Sequence, residues 1–258
     1  MRLLSYLSPG FPASLFEALG RVVGAEVAFD EHRSGPAPGS DPFADGSADL
    51  GWLCATSYVD LIGRSGRETV QLVGVAWVPD DPDAEGRPFY FADLVVRPDS
   101  PVVDLSALEG CRIGCNDPIS LSGYYALRLA LRQRAIDPDR FADLVFTGGH
   151  QHSLDMVLAG DLDAAAVDSV VRVARSRADS AVAGLRLVER LGPWPVQPLV
   201  ASSAMSERDV LTVKQKLLEA VHRPELRREL DNAALATLTE TSPEFYDALR
   251  RAMANELA

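Results

Sequence analysis

The chain has 258 residues, of which 47% are apolar and 24% charged, with a formal net charge of -12 at pH 7. This length allows a buried core in one domain or two small lobes, and the acidic balance excludes non-specific nucleic-acid binding, which needs a basic surface. No apolar run approaches the ~20 residues of a membrane span. The N-terminal apolar run is too short for a secretory leader, so the chain as written is predicted to stay in the cytoplasm.

Short apolar runs alternate with helical patterns along the chain, which is typical of an α/β fold with mainly parallel sheets. In the first part, strands are predicted at 2–7, 25–30, 49–54, 69–78 and 89–96, and helices at 12–24 and 56–64. Residues 32–48 are rich in Gly, Pro, Ser and Asp and predict a surface loop, and residues 79–88 predict an exposed turn.

The same alternation restarts near Asp99. Strands are then predicted at 111–115, within 137–150 and at 161–169, with helices at 124–133, 151–160 and 170–178. Residues 185–202 predict a strand interrupted by prolines, and therefore an edge or crossover segment. The tail from Ser206 predicts amphipathic helix with breaks near Pro224 and at 239–245.

The restarts near Asp99 and Pro193 suggest a chain that leaves one lobe, builds a second and returns. We therefore predict a discontinuous lobe 1 (1–98 plus 193–258) and an inserted lobe 2 (99–192). A cleft between two lobes is the usual place for a small ligand.

The segment NDPISLSGYY, residues 116–125, places two serines and a glycine where a predicted strand meets a predicted helix. Ser120 and Ser122 have two interpretations there. One is helix capping, a routine role of serine. The other is a seat for a small anion, because a helix N-terminus offers N–H donors and about half a positive charge without any lysine or arginine.

The cysteines and two tryptophans are predicted to be core residues. Cys111 and Cys115 lie roughly 13 Å apart along one predicted strand, which is beyond disulfide reach. With Cys54 they predict three core thiols, and a zinc site is not expected without a second close pair of ligands. Trp52 and Trp77 are predicted to pack in the core.

Three segments together resemble the phosphonate/phosphite/phosphate-binding family of ABC-transporter solute-binding proteins. They are ADLGWLCATSYVDL at 48–61, the stretch from FYFADLVV to SGYYALR at 89–128, and VFTGGHQHSLDMVLAGDLDAAAVDS at 145–169. The resemblance implies an α/β, two-lobed periplasmic-binding-protein-like fold (type II). Each lobe would be a mixed, mostly parallel sheet flanked by helices, with the ligand cleft between the lobes.

The resemblance also implies which residues contact the ligand. Ser120 and Ser122, with the N–H groups at the helix start, would hold the oxyanion, and His150 would contact it from the next helix. Tyr58 or its neighbours would contact it from the other lobe. The full set of implied ligand-binding residues is Ser120, Leu121, Ser122, Gly123, Tyr124, His150, Tyr90, Tyr58, Ser57, Thr56 and Asp168.

Three positions depart from the family's pattern. Leu121 stands where relatives often have a threonine, and Gly149 stands where they have a serine before the histidine. Val170 stands where relatives that hold an aminophosphonate place an acidic residue, and Asp168 is the nearest acid that could serve instead.

The predicted function is non-catalytic binding of a small oxyanion, phosphonate, phosphite or phosphate-like, as the binding component of an ABC transporter. The expected partners are a small anionic ligand and an ABC permease. We expect a monomer with no nucleic acid, membrane insertion, metal or cofactor. The resemblance implies a periplasmic or cell-surface location, in contrast to the cytoplasm that the absent leader predicts.

The alternative is a cytoplasmic enzyme or sensor on the same fold that acts on a small organic acid. Known catalytic motifs such as G-x-S-x-G and H-E-x-x-H are missing from the sequence. Ser122, His150 and Asp168 are residue types of a catalytic triad, but nothing in the sequence gives them triad geometry.

Overall fold

The structure is a computed structural model that describes residues 1–8, 10–63 and 69–256. The chain divides into two compact units, of which unit 1 is Met1–Phe89 with Pro195–Ala258 and unit 2 is Tyr90–Trp194. The predicted boundaries lie after residues 98 and 192. The first boundary differs because the strand at 89–96 is hydrogen-bonded into the sheet of unit 2.

The secondary structure confirms the alternation of strands and helices. The strands are β1 (Arg2–Ser5), β2 (Glu26–Phe29), β3 (Leu50–Trp52), β4 (Val70–Leu72), β5 (Val75–Pro79), β6 (Phe89–Val96), β7 (Arg112–Cys115), β8 (Asp143–Phe146), β9 (Ala164–Asp168), β10 (Arg186–Pro195), β11 (Leu199–Ser202) and β12 (Leu235–Glu240). The helices are α1 (Ala13–Val23), α2 (Ala55–Gly63), α3 (Ala126–Gln133), α4 (Pro138–Phe141), α5 (His150–Ala159), α6 (Ser169–Ala178), α7 (Ser180–Ala183), α8 (Glu207–Ala220), α9 (Pro224–Asn232) and α10 (Asp247–Glu256). Arg64, the predicted end of α2, lies outside the described residues. In the described part of the chain, no helix is both long and apolar enough to cross a membrane.

Unit 1 contains a five-stranded sheet in the order β2-β1-β3-β11-β4 and an antiparallel pair, β12-β5. Strands β1, β2 and β3 are parallel, and β11 runs antiparallel to both of its neighbours. Trp52 and Trp77 stack with ring centroids 4.6 Å apart, and both are fully buried, as predicted. Gln197 accepts both indole N–H groups, through its main-chain oxygen from Trp52 and through its side-chain oxygen from Trp77.

Unit 1 also corrects three predictions. Residues 69–78 form two strands in different sheets, because Gly74 adopts a left-handed conformation with φ of 80° between them. The tail is not all helical, since β12 pairs with β5 through a Leu/Thr-rich segment whose β-branched residues favour a strand. The loop at 32–48 has no helix or strand, but it is not simply a surface loop, because Phe43 is only 2% exposed.

Unit 2 is built on a sheet in the order β10-β6-β9-β7-β8, in which β7 is parallel to both β8 and β9, and β6 is antiparallel to β9. Alternate residues of each strand point to opposite faces. One face packs against Leu127 and Leu131 of α3, and the other against Leu154 and Val157 of α5. Helices α3 and α5 therefore cover opposite faces of the sheet.

The segment 185–202 matches the edge prediction only in part. β10 lies at the edge of the unit 2 sheet. Its prolines are tolerated there because one side of an edge strand has no neighbouring strand that requires its N–H groups. β11, by contrast, lies between β3 and β4 in unit 1.

The prediction of three core thiols is wrong for Cys111. Cys54 and Cys115 are buried, whereas Cys111 is only half-buried and packs against the outside of the core of unit 2. Burial raises the pKa of the Cys115 thiol to about 12, so this cysteine stays protonated.

Asp93 of β6 is a buried acid that holds two arginines from different elements of unit 2. It is 0% exposed and accepts from Arg172 Nε of α6 at 2.6 Å and from Arg190 Nε of β10 at 2.9 Å. Arg190 also lies over the ring of Phe91, 4.3 Å from its centroid. One carboxylate thus joins β6, α6 and β10 within the unit.

We expect Asp93→Asn to lower the free energy of unfolding by about 3–5 kcal/mol, because it leaves two partly buried guanidinium groups without their counter-charge. Asp99→Asn is the matched control, since Asp99 is 84% exposed and 3.6 Å from Arg97, and should change it by less than about 0.5 kcal/mol. Urea unfolding of both variants measures this. Similar losses in the two would show that the buried carboxylate has no special role.

Candidate functional site

Three loops of unit 2 meet where the parallel strands β7, β8 and β9 end. Thr147 donates its N–H to the Cys115 oxygen at 2.8 Å, and Gly148 donates its N–H to the Asn116 oxygen at 2.9 Å. The loop after β8 therefore runs against the loop after β7. Because α3 and α5 lie on opposite faces, the connections after β7 and β8 leave in opposite directions, and this is where open α/β sheets bind ligands.

The helix after β7 begins with a π-turn, Leu121–Tyr125, which continues into α3. Its first main-chain bond runs from the Tyr125 N–H to the Ser120 oxygen at 3.0 Å. The N–H groups of residues 121–124 precede this bond, and Ser120 Oγ accepts the one from Gly123. π-turns are uncommon and are often found at functional sites.

The two serines of this turn have different roles. Ser120 Oγ accepts from the Gly123 N–H at 3.1 Å, so Ser120 caps the helix. Ser122 Oγ does not cap the helix and lies 3.5 Å from His150 Nε2. Both serines are 2% exposed. The capping interpretation is therefore confirmed for Ser120 and does not account for Ser122.

Gly123 permits the close approach of the two ends of this loop. A Cβ at position 123 would lie 2.5 Å from Asn116 Cβ and 2.9 Å from Asn116 N, distances that real contacts do not reach. Asn116 in turn donates its N–H to the Gly123 oxygen at 3.2 Å. Only glycine therefore allows the end of β7 and the start of the helix to lie this close.

His150 is half-buried at the first position of α5 and is held by main chain as well as by Ser122. The Asp168 N–H donates to His150 Nδ1 at 3.4 Å, so Nδ1 must carry a lone pair. Burial lowers the pKa of His150 to about 4, which keeps the imidazole neutral near pH 7. The single ring proton is then on Nε2, which donates to Ser122 Oγ.

This geometry is the reverse of a catalytic triad. In a triad, a carboxylate accepts from Nδ1–H and leaves Nε2 unprotonated to take the serine's proton. Here Nε2 carries the proton, and the Asp168 carboxylate instead caps α6 by accepting from the N–H groups of Val170 at 2.8 Å and Val171 at 3.3 Å. His150 in this state cannot act as a base toward Ser122.

The remaining predicted residues of unit 2 lie around this cluster. Leu121 is fully buried. The ring of Tyr124 packs against Phe146, with centroids 5.3 Å apart. Tyr90 is 1% exposed and lies at the same end of the sheet, because β6 is antiparallel to β9 and pairs Ala92 with Asp168.

The predicted residues of unit 1 lie in the first turn of α2. Thr56 Oγ1 contacts Cys54 Sγ at 3.1 Å, and Ser57 Oγ donates to the Ser34 oxygen at 3.2 Å. The ring of Tyr58 packs edge-on against Tyr246, with centroids 5.2 Å apart. Their contact with a ligand stays a prediction.

Sequence reasoning missed two residues that shape the site. Asn116 ties the end of β7 to the helix start. Thr147 Oγ1 bonds to the Cys115 oxygen at 3.1 Å and to Ser153 Oγ at 2.6 Å, which orients the turn before His150. In the sequence, the feature that could have indicated Thr147 is its position between a predicted strand and the pair Gly148-Gly149. Among the described residues, no group of three or more His, Cys, Asp or Glu is arranged to hold a metal ion.

A sequence profile of the family described as "ABC transporter, phosphonate, periplasmic substrate-binding protein" matches residues 13–246. The chain belongs to this family. The match confirms the resemblance inferred from the three segments. Members of this phosphonate-binding family are the periplasmic substrate-binding components of ABC transporters. The match therefore does not favour the alternative of an enzyme on the same fold.

Solved structures with the same two-lobed, type II fold confirm the predicted fold class. The binding protein component of a phosphonate ABC transporter from Pseudomonas aeruginosa has a TM-score of 0.81 at 14% identity, covering 100% of this chain and 86% of its own. PhnD1 of Prochlorococcus marinus in complex with methylphosphonate has a TM-score of 0.75 at 15% identity, with coverages of 99% and 97%.

A more distant neighbour is the periplasmic aliphatic sulphonate binding protein SsuA of Escherichia coli, with a TM-score of 0.61, 16% identity and coverages of 99% and 90%. At these identities the likeness concerns the fold alone. A comparison with curated proteins found no match.

Gly123→Ala should lower the free energy of unfolding by about 1–3 kcal/mol, because the added methyl group must displace the Asn116 main chain. Gly149→Ala is the matched control. Its backbone is extended, with φ of 179°, and the nearest atom to its new Cβ would be Asn116 Oδ1 at 3.8 Å. Denaturant unfolding compares the two, and equal stability would show that the loop ends tolerate separation.

The free energy of unfolding should fall as the pH is lowered from about 6.5 to about 4, because the unfolded chain protonates His150 first while the folded protein keeps its imidazole neutral. In His150→Gln this part of the pH dependence should be missing. In His152→Gln, a change at an exposed histidine, it should remain. Urea titrations across this pH range test this; unchanged pH dependence in His150→Gln would contradict the assignment.

Proposed function

We propose that the protein binds a small oxyanion of the phosphonate, phosphite or phosphate class at the start of the helix that follows β7, without catalysis. The observation that carries the proposal is the convergence of Ser120, Ser122 and His150 on the first turn of that helix. This turn supplies main-chain N–H groups and the positive end of the helix dipole. The family's role as transporter binding proteins supports the same conclusion.

The net charge of -12 does not oppose anion binding. Oriented N–H and O–H dipoles act at hydrogen-bonding distance, whereas distant carboxylates are screened by solvent and salt. Each charge-assisted hydrogen bond contributes about 1.5–3 kcal/mol, so a few of them can hold an oxyanion without a lysine or arginine.

The surroundings of the site favour an oxyanion that carries no ammonium group. Val170 is 2% exposed and apolar, at the position where a relative that holds an aminophosphonate would have an acid. The Asp168 carboxylate is used as the cap of α6. We therefore place methylphosphonate, phosphite and phosphate ahead of aminoalkyl phosphonates.

The transport role, the location and the partner follow from the family rather than from the site. We propose that the protein acts in the periplasm and delivers its ligand to an ABC permease, in line with the family's description. The monomeric state and the ligand contacts from Thr56, Ser57 and Tyr58 remain predictions.

Isothermal titration with phosphate, phosphite, methylphosphonate, 2-aminoethylphosphonate and sulfate tests the proposal. We expect heat with at least one of the first three, and weaker or no heat with the amino compound. An absence of heat for every oxyanion well above micromolar concentration would overturn oxyanion binding.

Two serine variants locate the site in the same assay. Ser122→Ala should lower the affinity about tenfold or more with little change in thermal stability, since it removes one ligand hydrogen bond and no cap. Ser120→Ala should also lower stability by about 1 kcal/mol, because it removes the cap on Gly123. Unchanged affinity in Ser122→Ala would place the ligand elsewhere.

A further inference from the structure

Both serine oxygens of the site are already used as hydrogen-bond acceptors. Ser120 Oγ accepts from the Gly123 N–H at 3.1 Å, and Ser122 Oγ lies 3.5 Å from the protonated Nε2 of His150. In the described part of the chain, neither hydroxyl donates to a protein oxygen. Each hydroxyl can therefore donate its hydrogen to an oxygen atom of a bound molecule.

The direction of these bonds is determined by the backbone. A main-chain N–H, such as that of Asp168, can only donate, so His150 Nδ1 can only accept. The ring proton must then lie on Nε2 and point toward Ser122 Oγ. The Asp168 N–H thus donates to His150, His150 donates to the Ser122 oxygen, and the Ser122 hydroxyl can donate to the ligand.

The charged groups on the surrounding elements have partners of their own. Asp117, in the loop after β7, accepts from the Ile119 N–H at 2.8 Å. The carboxylate of Asp168 caps α6, and Arg175 of α6 is paired with Asp155 of α5.

We propose that this site selects oxyanions whose bound oxygens carry no proton, and that His150 is the residue that imposes the selection. A phosphonate would then bind as its dianion. In the singly protonated anion, a P–OH group directed at Ser120 or Ser122 would put two hydrogens in one contact unless the hydroxyl turned its own hydrogen away from the ligand. Either arrangement leaves one donor unsatisfied. The inference rests on the proposed oxyanion binding and specifies the protonation state that is bound.

Titration calorimetry of the wild-type protein with methylphosphonate and with methanesulfonate from pH 5.5 to 8.5 tests this. Below the second pKa of methylphosphonate, its association constant should fall about tenfold per pH unit, because only the dianion binds. Methanesulfonate has no proton to lose in this range, so any binding of it should be independent of pH.

Two variants separate the role of His150 from a general loss of structure. In His150→Leu the donor to Ser122 is removed, so the Ser122 hydroxyl is able to turn and accept a P–OH hydrogen. The pH slope for methylphosphonate should then be clearly shallower than tenfold per unit. His150→Gln keeps an N–H donor on its side chain and should retain the steep slope, and thermal melting checks that both variants are folded.

The ¹⁵N NMR shifts of the His150 ring give an independent readout. They should show a protonated Nε2 and a bare Nδ1 across the same pH range. A proton on Nδ1, or a methylphosphonate association constant that is flat across the second pKa of the ligand, would overturn this inference and leave oxyanion binding intact. If no oxyanion binds at any pH, the proposed function fails and this inference fails with it.

Discussion

The hydrogen bond from the Asp168 N–H to His150 Nδ1 determines the character of the whole site. A main-chain donor cannot reverse its direction, and burial keeps the imidazole neutral, so the ring proton lies on the side of Ser122. The site then presents donors to whatever molecule lies at the start of the helix. The same bond that suits it to hold an anion prevents His150 from activating Ser122 as a nucleophile. In the proposed function, binding without catalysis is thus a consequence of one proton's position.

That bond depends on how the sheet of unit 2 brings three strand ends together. β7 lies between two parallel neighbours, and helices on opposite faces carry the chain away from the strand ends in opposite directions. The two ends of the loop after β7 can approach each other only because Gly123 lacks a side chain, and Thr147 orients the turn that leads to His150. Away from the site, Asp93 ties β6 to α6 and β10 through two arginines. The hydroxyl and N–H groups of the candidate site are therefore positioned by residues elsewhere in unit 2.

Much of this was predictable from local patterns, and the failures have physical causes. The helices at α1 and α5 were predicted well, because each has a left-handed Gly, Gly24 or Gly160, directly after its last turn. β12 was missed because a short strand with one buried side looks like part of an amphipathic helix when its partner, β5, is distant in sequence. The break at Gly74 was missed for a related reason, since two apolar runs in series read as one strand until different partners separate them. The motif around Ser120 and Ser122 was recognised, but capping turned out to apply to Ser120 and not to Ser122.

The sequence by itself determined the α/β class, the family and the position of the proposed anion-binding turn, because these depend on residue types at short spacing. Serine and glycine stand at one strand-to-helix junction, and histidine stands at the next. Only the tertiary structure decided which serine caps the helix, why residue 123 must be glycine, and which nitrogen of His150 carries the proton. Those features depend on main-chain groups, the N–H of Asp168 and the backbone of Asn116, that every residue type possesses. Because all residue types share these main-chain groups, the amino-acid sequence does not predict which of them will form a contact. Only the folded structure shows which main-chain groups are brought together.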